Sequence, residues 1–179
     1  VRADAVPSDA QQTPESQRAI RNKSIEGLCL SIDRRLNDEV EIEAEITFSS
    51  SEPIRYSDGK YFPTYDVRHI FKCNWKDIFF SFAYDIDHET VEEECIIAIE
   101  EMLGEKFIDQ INECLNDGYD KFEIDINAQA TYNVRTEFMA SSLVNTTMMN
   151  GERYWRISEL GARYLLFLHN KKFHPNLYK

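Results

Sequence analysis

KFEIDINAQATYNVR, residues 121–135, decides how this chain is read. Phe122, Ile124, Ile126, Ala128, Ala130, Tyr132 and Val134 alternate with Glu123, Asp125, Asn127, Gln129, Thr131 and Asn133. A period of two sends successive side chains to opposite faces of a strand. An alternation this long predicts a central strand with one dry face and one wet face.

The pattern recurs upstream. Val40, Ile42, Ala44, Ile46 and Phe48 alternate with Glu39, Glu41, Glu43, Glu45 and Thr47, a half-buried strand. Val67, His69, Phe71 and Cys73 form one alternating arm, and Ile78, Phe80, Phe82, Tyr84 and Ile86 form another. Asn74-Trp75-Lys76-Asp77 has the length of a hairpin connection, so the two arms predict a hairpin. Ser49–Tyr65, with Pro53, Asp58-Gly59 and Pro63, reads as a long loop.

Helical spacing fills the rest. Ile25, Leu28, Cys29, Ile32 and Leu36 share a face and predict a helix from about Arg18 to Leu36. Thr90-Val91-Glu92-Glu93 reads as a capping box, with Cys95, Ala98, Ile99 and Met102 as the buried stripe behind it. Gly104 is expected to kink or divide that helix before the stop at Asn116-Asp117-Gly118. Residues 136–149 allow a short helix, and Arg153–Ile157 a short strand. Ser158 caps a final helix that ends at His174-Pro175.

The fold class is therefore α+β: an antiparallel sheet of about four to five strands with helices packed on one face. Residues 1–17 are poor in large apolar side chains and read as a disordered tail, with one domain over 18–179. The chain opens on Val1, which reads as a processed form.

Residues 138–168 set a short helix, a turn at Asn150-Gly151, a strand and a capped helix in succession. This stretch resembles the recognition-helix-and-wing end of winged-helix domains. The resemblance implies a nucleic-acid-associated protein, but the strand expected over 121–135 takes the place of helices such a domain requires.

Composition narrows function further. The net charge of −12 lacks the basic face that displaces counterions from nucleic acid, although it suits a basic protein partner or mimicry of nucleic acid. No apolar run approaches the roughly 20 residues of a membrane-spanning helix. Cys29, Cys73, Cys95 and Cys114 form no C-x-x-C pair and sit among apolar residues, the setting of free buried thiols and a cytoplasmic location. No glycine-rich phosphate loop, G-x-S-x-G or H-E-x-x-H motif occurs, and no cofactor is implied. Asp85, Asp87, His88, Glu89, Glu92 and Glu93 are the densest titratable cluster, and a metal-dependent enzyme would be built there. Acids also gather at helix N-termini because the dipole favours them. His69 and Cys73 lie about 13 Å apart along an extended strand, too far for a nucleophile pair.

Charge is distributed unevenly. Residues 85–125 carry fifteen acids against two bases, while 152–179 carry six bases against two acids. Glu100, Glu101 and Glu105 on the acidic helix, and Arg163, Lys171 and Lys172 on the basic one, are the candidate partner-binding residues. The two regions meet either within the fold or between copies in a homo-oligomer. The expectation is a non-enzymatic protein-interaction or assembly component, with viral accessory proteins, immunity proteins and inhibitors as fitting types. The alternatives are the winged-helix-type protein and the metal-dependent enzyme.

Overall fold

Helix α1, Pro14–Leu36, begins four residues before the expected start, with Pro14 at a position where its missing N–H costs nothing. The computed structural model describes residues 14–57, 59–84, 86 and 89–173. Of the expected tail, residues 1–13 lie outside that set. Cys29, Ile32 and Leu36 turn inward from α1.

Strand β1, Glu39–Ser49, keeps its alternation: Ile42, Ala44, Ile46 and Phe48 are buried and the glutamates exposed. A short hairpin, β2 (Ile54–Tyr56) and β3 (Gly59–Tyr61), occupies the segment expected to be loop. Strand β4, Thr64–Asn74, pairs with β1 from Glu39↔Asn74 to Ser49↔Thr64.

The expected second hairpin arm is instead helix α2, Trp75–Ala83. Asn74 caps it, its side chain accepting from Asp77 N–H at 2.9 Å. Ile78, Phe79 and Phe82 are buried together, a helical grouping that hides within the alternation because apolar residues occupy both phases. Thr90 does not cap the next helix. With Val91 it forms strand β5, paired with Trp155 and Tyr154. Helix α3, Glu92–Lys106, and helix α4, Ile108–Glu113, divide at Phe107 rather than at Gly104.

The stretch 121–135 splits. Strand β6, Lys121–Ile126, pairs with β1, and helix α5 follows over Ala128–Ala140. Asn127 makes the break: its side chain accepts from Ala130 N–H at 2.8 Å, and Ala130, Val134 and Phe138 become the buried stripe. Strands β7 (Val144–Met149) and β8 (Glu152–Ile157) form a hairpin around Asn150-Gly151, both at positive φ. Helix α6, Glu159–Phe173, starts where Ser158 Oγ accepts from Gly161 N–H at 2.9 Å. The expected stop at His174-Pro175 lies outside the described residues.

The result is α+β, with antiparallel sheets ordered β4-β1-β6, β2-β3 and β5-β8-β7. No sheet among the described residues exceeds three strands, because two segments expected to be strand are helices. From α2 onward the order is helix, strand, helix, helix, hairpin, with β5 beside β8, and with α4 and β6 inserted before α5. Helix α5 occupies residues that the sequence reading placed in a strand. Trp155, Tyr164, Phe79, Phe82 and Phe138 are all essentially inaccessible and belong to one core with Ile42, Ile46 and Phe71 of the sheet. No helix among the described residues is long and apolar enough to cross a membrane.

Candidate interaction surfaces

A hollow of about 910 Å³ runs between α3 and β6. Ile97 and Ile108 line it while remaining 45% and 39% exposed, and half-buried Phe122 and Ile124 complete the apolar floor. At Gly104 α3 lies close to β6, and a β-carbon there would stand 3.4 Å from the Phe122 ring, at van der Waals contact. Glu101, Glu105 and Glu123 form the rim, and no basic residue among those described lines the hollow.

Strand register settles the direction of the backbone at this edge. Ser50 N–H donates to Pro63 and Trp75 N–H to Asp38, so the even-numbered positions of β1 bond β4. The odd-numbered ones bond β6 at Lys121, Glu123 and Asp125. Phe122, Ile124 and Ile126 therefore direct their N–H and C=O groups outward. Ile126 N–H donates to the Glu100 carboxylate at 2.9 Å.

Glu100 is thus half-buried and bonded within the molecule. Burial pushes its carboxyl above the ordinary value, the Ile126 N–H opposes this, and Asp125 adds to the rise. A carboxyl raised in this way is most favourable to folding below its unfolded value and loses that advantage as pH rises through the folded one. At neutral pH, Glu100→Gln should match or slightly exceed the native stability, since the amide oxygen still accepts. Glu100→Ala, which strands the Ile126 N–H, should lose about 1–2 kcal/mol. Urea midpoints at pH 7 check the pair, and equal losses would show that the Ile126 contact contributes nothing.

A second concave surface lies between α2 and α6. Lys76, Lys171, Lys172 and His169 line a hollow of about 600 Å³ with Phe80 and Tyr84, whose rings stack at 5.6 Å. An adjoining hollow of about 480 Å³ shares Tyr84 and His169 and adds Arg156. Among the described residues, no acid lines either one. Beneath the lysines, buried Asp33 accepts from Lys76 Nζ at 2.7 Å, Lys171 Nζ at 2.8 Å and Tyr164 Oη at 2.9 Å. Burial alone would raise the Asp33 carboxyl, but the bonds from Lys171, Lys76 and Tyr164 outweigh it and hold the carboxyl below its usual value.

The six sequence candidates thus separate by role. Glu101 and Glu105 are exposed on the acidic rim, and Lys172 is exposed at the basic hollow. Glu100 and Lys171 line those surfaces but bond Ile126 and Asp33. Arg163 lines neither hollow and pairs with Glu159 one turn away. No family model, known protein or solved structure matches the chain.

Asp85, Asp87 and His88 of the proposed metal cluster lie outside the described residues. Glu92 is committed elsewhere, accepting from Arg135 at 2.9 Å and from the Trp155 indole at 2.7 Å. This bond ties α3 to α5 and β8, a role no local pattern announces. The four cysteines are unpaired. Burial pushes the Cys73 thiol up to about 11 and the Cys95 thiol up to about 12, far from a nucleophilic thiolate at neutral pH.

Proposed function

We propose that the chain is a non-enzymatic protein-interaction or assembly component that works through its acidic α3 surface and its basic α6 surface. The observation that carries this reading is that acids rim one apolar hollow and bases line another, while Asp33, bonded to Lys76 and Lys171, is the one acid that an ion pair joins to the basic hollow's lysines among the described residues. No ion pair joins α3 to α6 among the described residues. Charge that is not neutralised within the molecule remains available to a partner or to a second copy.

Light scattering across a salt series tests self-association. The mass should fall toward that of a monomer between about 0.05 and 0.5 M salt, because exposed charges are screened beyond about 10 Å at 0.1 M. Glu101→Lys with Glu105→Lys should abolish association, as should Lys172→Glu with Arg156→Glu. Mixing the two variants should restore it. A monomeric mass at every salt concentration overturns self-assembly and leaves an unrelated protein as the partner.

A helix followed directly by a β-hairpin, α5 and then β7-β8, favours a second reading, a nucleic-acid-associated protein. The exposed face of α5 presents Gln129, Tyr132, Asn133, Thr136 and Met139 without a Lys or Arg. Arg135 is bonded to Glu92. That face cannot release phosphate counterions and suits protein docking better. Salt-dependent retention on duplex DNA is the measurement that would restore the nucleic-acid reading.

A further inference from the structure

We propose that the outer edge of β6 receives an extended segment of a partner protein as an added strand, one in which Lys or Arg alternates with apolar residues. The proposal rests on the interaction reading above and names the partner chemistry of its acidic surface.

The backbone supplies the first reason. β6 is an edge strand of the β4-β1-β6 sheet. Phe122 and Ile124 direct N–H and C=O groups outward, and no hydrogen bond meets them among the described residues. Edge strands are commonly blunted by proline, lysine or a bulge. β6 has no proline, keeps an unbroken register with β1 and carries its one lysine at its first residue. At Ile126 the Glu100 carboxylate already stands where the carbonyl of an added strand would sit. It marks where the open stretch ends and shows that an outside acceptor can reach this edge.

The side chains supply the second reason. An added strand turns alternate residues to opposite faces. One set would descend onto Ile97, Ile108, Phe122 and Ile124, where the floor is apolar and partly exposed. The other would lie beside Glu123 and Asp125 on the wet face of the sheet. There Glu45 stands directly opposite Asp125, a like-charge pair that an incoming cation would relieve. Glu101 and Glu105 add negative charge along the α3 side. Apolar residues downward and cations upward is the alternation this site selects.

The test uses the whole chain and a short fluorescent peptide alternating lysine with valine or isoleucine. Binding is read by anisotropy, and amide hydrogen exchange is read residue by residue. The Phe122 and Ile124 amides should exchange readily in the free protein and become protected in the complex. Two N-methylated peptides separate strand addition from plain charge attraction, because alternate amides of an added strand face β6 and solvent. Methylation of one set should weaken binding roughly tenfold or more, and methylation of the other should leave it unchanged. Ile97→Lys should weaken binding while leaving the melting temperature near the native value, since Ile97 is exposed. A glutamate-for-lysine peptide should not bind.

Equal effects of the two methylated peptides, protection elsewhere, or no binding at about 1 mM peptide would each overturn strand addition. A salt-dependent mass change with no peptide binding overturns this proposal alone. Peptide binding with protection in a chain that is monomeric at every salt concentration overturns self-assembly alone.

Discussion

Asp33→Ala should lower stability by about 3 kcal/mol at pH 7, because it removes one charge from a buried cluster that contains two others. Asp33 is 4% exposed and accepts from Lys76, Lys171 and Tyr164, which bring α2 and α6 against α1. Without it, two ammonium groups and a phenol lose their common acceptor. The lysine ends retain some access to water, which keeps the loss at the lower end of the range for broken buried pairs. The sign of the pH dependence follows from the lowered Asp33 value. Its contribution is present above the unfolded carboxyl value of about 3.9 and is lost as pH falls through the lower folded value. The gap between native and variant urea midpoints should therefore be wide at pH 7 and narrow as the solution is acidified below about pH 4. A gap of constant size would show that the shape of Asp33 matters and its charge does not.

Gly161→Ala should lower stability by about 2–3 kcal/mol, against the usual effect of alanine in a helix. A helical glycine replaced by alanine ordinarily gains up to about 1 kcal/mol. Here the added β-carbon would overlap the Leu143 carbonyl oxygen and stand 2.8 Å from Ile157 Cγ2. The Leu143 carbonyl cannot withdraw freely, since it accepts from Ser158 N–H at 3.0 Å. Helix α6 would have to lift from β7 and β8, loosening Tyr164 from Phe79 and the Lys171 end of α6 from Asp33. Urea titration followed by circular dichroism measures the change. A rise in stability would mean that α6 packs farther from Leu143 than this structure places it.

The edge of β6 was half legible beforehand. The sequence showed acids gathered over residues 85–125 and a period-two strand from Phe122 to Ile126. It could not show that α3 lies beside that strand, or that Glu100 faces inward while Glu101 and Glu105 face water. Asp33 carried no sequence signal, because its two lysines lie 43 and 138 positions away. Gly161 was equally silent, since a glycine near a helix start looks like any other until the neighbouring carbonyl is in place.

By itself the sequence determined the α+β class, the wet and dry faces of β1 and β6, the caps at Ser158 and the turn at Asn150-Gly151. These are local properties: a period of two, a side-chain oxygen one turn from an N–H, and a residue pair able to adopt positive φ. The tertiary structure decided where local signals were degenerate. Ile126, Ala130 and Val134 satisfy a period of two and also a spacing of four, so alternation could not tell strand from helix beyond Asn127. Burial chose the helix, because Phe138 reaches Phe79 and Phe82, and Val134 joins the same core, only if the chain turns there. Around Ile78 and Phe79 apolar residues fill both phases, and the packing of α2 against α3, with Phe79 on Phe138 and Tyr164, selected the helical one. Secondary structure at such places follows from the partner a segment buries against, which is a property of the whole chain.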